Sequence, residues 1–160
     1  MATTRTDTDA CTLLDNDHKA VKKLFKAYEE LAHSQARDAT QKKMELAHEI
    51  CQELTVHATI EEEIFYPALR EALKETDVLA EAEVEHAGAK DLIAQIEAMG
   101  QADEMFDAKV KVLGEYIDHH VKEERNQIFP KAKAARGLDL VAMRDELQAR
   151  KEALMGMEVT

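Results

Sequence analysis

The sequence predicts an all-α protein, an antiparallel up-down-up-down four-helix bundle with an additional short C-terminal helix. The 160 residues hold only 5 Gly and 2 Pro, whereas Ala, Glu, Lys and Leu abound and β-branched runs are almost absent, a balance that favours helix. Polar breaks carrying Pro, Gly or a capping Asp or Thr fall at 34–40, 67–77, 100–103 and 134–139, leaving four long segments and a tail. Each long segment carries apolar residues at alternating 3,4 spacing, the pattern of a helix turning one seam to a bundle core.

The opening "MATTRTDTDA" lacks the apolar stretch of a signal peptide, so residues 1–11 are expected to be a flexible N-terminus. The bundle is expected over 12–136, a length that suits one domain with a real core. The first helix is predicted from Thr12 to His33, with Leu14, His18, Val21, Phe25, Tyr28 and Ala32 on its seam. The second runs from Ala39 to about Tyr66 with Ala47, Ile50, Leu54, His57, Glu61, Ile64 and Ala68 inward. Pro67 cannot donate a backbone hydrogen bond and is expected to bend or end it early. The third spans Asp77 to Met99, its seam being Leu79, Ala82, His86, Ala89, Ile93 and Ile96. The fourth spans Asp103 to about Ala134, with Phe106, Val110, Leu113, Ile117, His120, Glu124 and Gln127. Residues 137–160 hold a last helix, about Asp139 to Leu154, whose Val141, Leu147 and Leu154 lie at loose helical spacing. It is expected to pack on or beside the bundle.

A formal charge of −12 without a Lys/Arg stripe argues against nucleic acid and anionic membrane, both of which need a concentrated positive face. No apolar run approaches the roughly 18 residues of a membrane span, so a cytoplasmic, soluble protein is expected. Cys11 and Cys51 make no disulfide framework and read as small apolar fillers.

The seams carry the functional signal. Every helix sends one histidine inward, and the second and fourth add a glutamate one turn further on. His33, His48 and His119 lie off these tracks. Residues equally far from the turn of an antiparallel hairpin lie at similar height, since each advances about 1.5 Å along its axis. His18 and His57 are centred on the 34–40 turn, and His86 and His120 on the 100–103 turn; each pair should face each other. A buried carboxylate costs several kcal/mol unless a positive charge compensates it, and no Lys or Arg lies on the four tracks. A bound cation is the economical answer. Imidazoles with carboxylates suit Fe, Zn, Mn, Cu or Ni, and four His with two Glu exceed one tetrahedral zinc, so two metals are expected. Glu61 and Glu124, one turn past His57 and His120, would bridge them while the histidines cap them.

The ordered set His18, "HATIE" at 57, His86 and "HVKEE" at 120 resembles the hemerythrin-like proteins, or HHE cation-binding domains. The resemblance extends over roughly 12–130 and includes "LLDNDH", "EVEH" and the aromatic-Pro ending of both HxxxE helices. It implies a non-haem di-iron centre, iron ahead of Mn or Zn and oxo- or hydroxo-bridged, held by His18, His57, Glu61, His86, His120 and Glu124. Oxygen-carrying members have a second histidine one turn after the third helix's histidine; here that place is Lys90, and a Glu replaces the usual late Asp of the fourth helix. The chain therefore looks more like the bacterial branch, whose members are linked to O₂, NO, peroxide or iron handling, including peroxide decomposition. Tyr116, Glu53 and Tyr28 are the candidates for an additional ligand. Glu62, Glu63 and Glu123 read as solvated groups or local charge balance; Asp17 and Glu85, each just before a seam histidine, could support the imidazoles from behind, with surface exposure the preferred reading. Three other readings remain: a ferritin-like iron oxidase or store, from the Glu-x-x-His spacing in "EVEH", an iron-responsive regulatory module, and a metal-free structural bundle with Glu61 and Glu124 protonated or hydrated in the core.

Overall fold

Two hairpins laid side by side form the body of the molecule in this computed structural model, which describes residues 8–159. The expected flexible segment falls mostly outside the described residues. Its end does not: Asp9 accepts from Thr12 N at 2.9 Å and caps α1, Ala10–Ala32, so the first helix begins two residues before the predicted Thr12. Ala10 and Cys11 are already buried.

α2 (Ala39–Ile60) returns along α1 and passes through a π turn, Glu61–Phe65, into α3, Tyr66–Ala72. The second hairpin pairs α4, Asp77–Ala98, with α5, Glu104–Glu123. Asp103 caps α5 by accepting from Phe106 N at 3.0 Å. A second π turn, Glu124–Ile128, then leads into α6, Phe129–Ala134. Gly137, with φ of +78°, turns the chain in the left-handed region that glycine adopts freely. Asp139 then caps α7, Leu140–Val159, by accepting from Ala142 N at 3.0 Å. α7 lies against α1, α2 and the first π turn.

The helix runs on to Ala72, so Pro67 does not end the second rod, one of the two outcomes expected of it. It occupies the first turn of α3, directly after the π turn, where a missing N–H and a fixed φ are tolerated. Pro130 holds the same place after the second π turn. A π turn hydrogen-bonds one residue further back than an α-helix, as Tyr66 N does to Glu61 O and Phe129 N to Glu124 O.

The extra residue moves the seams. Gln127 is exposed and Ile64 and Ala68 are half-buried, while Phe65, Tyr66, Leu69, Ile128, Phe129 and Ala132 face the core. On α7 the inward residues are Met143 and Leu147, with Leu154 packed beside them; Val141 is 62% exposed.

The core is two apolar blocks. One gathers Leu13, Leu14, Ile60, Phe65, Leu69 and Leu147 near the chain termini. The other gathers Val21, Ile50, Leu54, Ile93, Phe106 and Leu113 toward the far end. Between them lies a polar layer. Among the described residues no helix is long and apolar enough to cross a membrane.

Candidate metal centre

The polar layer is built by the four predicted histidines and two glutamates. His18, His57, His86 and His120 are 4–7% exposed, and Glu61 and Glu124 are completely buried. The hairpin geometry brings the rings together as expected: His18 Nε2 lies 3.0 Å from His57 Nε2, and His86 Nε2 lies 3.2 Å from His120 Nε2. Glu61 Oε1 sits 3.3 Å from His57 Nε2 and 3.1 Å from His86 Nε2. Glu124 reaches both pairs through different oxygens, Oε1 to His18 Nε2 at 3.0 Å and Oε2 to His120 Nε2 at 3.7 Å. Two candidate ligand sets result, His18, His57, Glu61 and Glu124, and Glu61, His86 and His120, each with its donor atoms within 4.8 Å of one another. Glu61 belongs to both.

Three of the four imidazoles are fixed from behind, while His18 Nδ1 finds no hydrogen-bond partner among the described residues. His57 Nδ1 donates to Asp17 at 3.2 Å, His86 Nδ1 to Glu62 at 2.8 Å and His120 Nδ1 to Glu85 at 2.7 Å. His18 Nδ1 lies 3.6 Å from Asp15. A carboxylate can only accept, so the contacts of His57, His86 and His120 place a proton on Nδ1 and turn Nε2 toward the centre. The helix places such groups sideways. Asp17 and Glu85 each precede a seam histidine and serve the histidine of the facing helix, and Glu62 follows Glu61 and reaches across to α4. The expectation that Asp17, Glu85 and Glu62 are solvated is corrected on this point: their side chains are 11%, 16% and 30% exposed and engaged.

The donor set fits a cation. Glu61 Oε1 and Oε2 and Glu124 Oε1 find no well-directed hydrogen bond among the described residues, and a buried carboxylate so placed is strongly unfavourable without a compensating charge. In the metal-free protein His57 and His120 supply that charge. Burial lowers the affinity of His57 for its proton, but Glu61 and Asp17 outweigh it and hold the group well above its ordinary range. His120 is likewise opposed by burial and carried by Glu61 and Glu85 up to about 10. Burial alone would raise Glu61; His57 and the other neighbours hold it well below the usual carboxylate range.

Tyr66 is the residue that periodicity misses. Its hydroxyl donates to Glu124 Oε2 at 2.7 Å and lies 3.5 Å from His120 Nε2. α-Helical spacing from Glu61 would turn Tyr66 away; the π turn brings it in. The equivalent place after the second π turn is Phe129, stacked on His18 with ring centroids 6.3 Å apart. One half of the centre thus has a hydroxyl and the other an apolar ring.

Of the three additional ligands considered, Tyr116 is the one near the rings. It lines a cavity of about 30 Å³ with the four histidines, Glu85 and Lys90, enough for a molecule or two of water size. Tyr28 lies ten residues beyond His18, roughly 15 Å along α1, and donates to Asp107 at 2.7 Å. Glu53 is half-buried and does not line the cavity. Lys90 donates to Glu62 at 2.6 Å, behind His86. Glu83, the acid that a ferritin-like reading needs, is exposed and paired with Arg70 at 3.1 Å.

A four-helix bundle with buried imidazoles and carboxylates converging on one layer defines a metal-binding protein class. The chain belongs to the hemerythrin HHE cation-binding domain family, whose profile matches residues 9–132. It is 32% identical over 113 residues to a Nostoc protein described as a DNA nickase; the match covers 71% of this chain and 30% of that protein. The chain thus spans under a third of that relative. The crystal structure of a hemerythrin HHE cation-binding domain-containing protein from Mycobacterium kansasii superposes with a TM-score of 0.74. It covers 94% of this chain and 90% of that one at 22% identity, a likeness of fold.

Proposed function

We propose that this chain is a non-haem di-iron protein that binds or reacts with O₂, peroxide or NO. The observation that carries the reading is the pair of overlapping donor sets that share Glu61. His18 and His57 would hold one ion, His86 and His120 the other, with Glu61 and Glu124 between them. Iron bound by these residues would supply the electrons for reaction with a small oxidant or nitrogen oxide.

The chain's own part is positional and protective. Asp17, Glu62 and Glu85 fix the ring planes, and Tyr66 fixes one oxygen of Glu124. Leu54, Ala58, Ala89, Ile93 and Ile117 wall the cavity against bulk water, and its volume of about 30 Å³ admits small molecules. Tyr116 and Lys90 stand at the same cavity, where an ammonium and a phenol can orient a polar guest. Iron suits the mixed imidazole and carboxylate set, and Mn or Zn would be alternative occupants.

Elemental analysis with an ultraviolet-visible spectrum of aerobically purified protein, repeated after reduction and re-exposure to O₂ or peroxide, tests the reading. About two irons per chain with absorption that bleaches and returns is expected, and peroxide consumption over many cycles makes the protein an enzyme. Absence of bound metal in an equally stable bundle would sink it.

A further inference from the structure

The carboxylate behind His57 is held in turn by a helix that lies beyond the matched residues 9–132. Asp17 receives His57 Nδ1–H on Oδ2 at 3.2 Å and Lys151 Nζ on Oδ1 at 2.6 Å. The Asp17 side chain is 11% exposed and that of Lys151 27%, so the pair is largely shielded. The same helix grips the first π turn, where Arg150 donates to both oxygens of Glu63 at 2.8 and 3.2 Å. Met143 and Leu147 anchor it in the apolar block that contains Leu14, Ile60 and Phe65. α7 therefore touches both segments that bring His18, His57 and Glu61 to the centre.

The other half of the centre has a matching arrangement inside the bundle. Lys90 donates to Glu62 Oε1 at 2.6 Å, and Glu62 Oε2 accepts from His86 Nδ1 at 2.8 Å. Lysine, carboxylate and imidazole follow in the same order in both halves. Only the His57 relay draws its lysine from α7.

The geometry points to α7 as a working part of the metal centre, with Lys151 acting through Asp17 as a positioning residue that sets the affinity of the ion held by His18 and His57. This inference rests on the two-ion reading. A carboxylate whose second oxygen is tied to an ammonium cannot swing to solvent, so the ring that donates to its first oxygen keeps its orientation. Outer groups of this kind typically change metal affinity 10–100-fold when removed.

Co²⁺ titration of the full-length metal-free protein tests it, followed by visible absorption and by the paramagnetically shifted imidazole N–H resonances, with circular dichroism to verify folding. Wild type should take up two ions. Lys151→Met should weaken one of them roughly 10–100-fold and speed solvent exchange of the His57 N–H alone, and Lys151→Arg should recover most of the loss. Lys90→Met should act on the other ion and on the His86 N–H. Asp17→Asn weakens the same relay while leaving the apolar anchors Met143 and Leu147 of α7 in place, so it serves if Lys151→Met fails to fold, and it has to weaken the same ion as Lys151→Met. Two unchanged affinities and unchanged N–H exchange in folded Lys151→Met or Asp17→Asn protein overturn the inference and leave the two-ion reading standing. Fewer than two ions on wild type overturns the two-ion reading itself.

Discussion

Tyr66 donates its hydroxyl to Glu124 Oε2 at 2.7 Å, joining the residue that closes one π turn to the residue that opens the other. Tyr66→Phe keeps the ring and removes the donor, leaving a buried carboxylate oxygen without its partner. Such a loss costs about 1–3 kcal/mol. Urea unfolding of metal-free protein should register it, with a lower midpoint and an unchanged slope.

Glu61 is the carboxylate common to both candidate ligand sets. Glu61→Ala should therefore abolish tight binding of both ions, whereas His86→Ala should leave about one per chain. Metal-to-protein ratios after desalting distinguish these outcomes; equal losses from the two variants would contradict the shared-ligand geometry.

Metal that binds the folded chain and not the unfolded one stabilises it. At a free concentration one hundred times Kd the gain is about 2.7 kcal/mol per site, which corresponds to a melting temperature roughly 5–10 °C higher for a chain of this size. Thermal melts with and without chelator should show a shift of that order or larger. Glu61→Ala protein should show almost none.

Gly88 lies on α4 under Tyr116, and a Cβ built there comes within 2.9 Å of Tyr116 Cζ. Gly88→Ala would gain up to about 1 kcal/mol of helix propensity but force the phenol aside. Stability should change little, while the cavity beside the rings opens. Chelator should then extract bound metal several-fold faster than from wild type; an unchanged rate would mean that Tyr116 does not limit access.

Cys11 and Cys51 are 2% and 1% exposed. Burial, reinforced by Asp9 for Cys11 and by Glu97 for Cys51, pushes both thiols up to about 12. The thiolate fraction at pH 8 is then roughly a thousandfold below that of a free cysteine. A disulfide reagent should label neither in the native protein and both after denaturation.

The six ligand candidates were legible because α-helical periodicity and hairpin symmetry both act over whole helices, and His18, His57, His86 and His120 obey both. Legibility stopped at Glu61 and Glu124. Beyond them one extra residue per rod shifts the inward face from Ile64 and Gln127 to Phe65, Tyr66 and Ile128, and nothing in the local composition announces a five-residue hydrogen-bond ring. The aromatic-Pro pairs at 66–67 and 129–130 are the trace it leaves, since proline is tolerated where the wide turn has freed an acceptor. The carboxylates behind the rings were only weakly legible, for a different reason. Asp17 and Glu85 look solvent-facing on their own helices, and their partners stand on neighbours whose azimuth one helix's pattern does not fix.

The layer of imidazoles and carboxylates separates the two apolar blocks, so no continuous hydrophobic column runs the length of the rods. The bundle resembles two short pillars mortared end to end, and the mortar is ionic. Whatever fills that course governs whether the pillars bear load as one: with the charges matched they stand together, and with the charges stripped the joint is where the first crack should run, freeing the end capped by α7 from the end that holds Phe106.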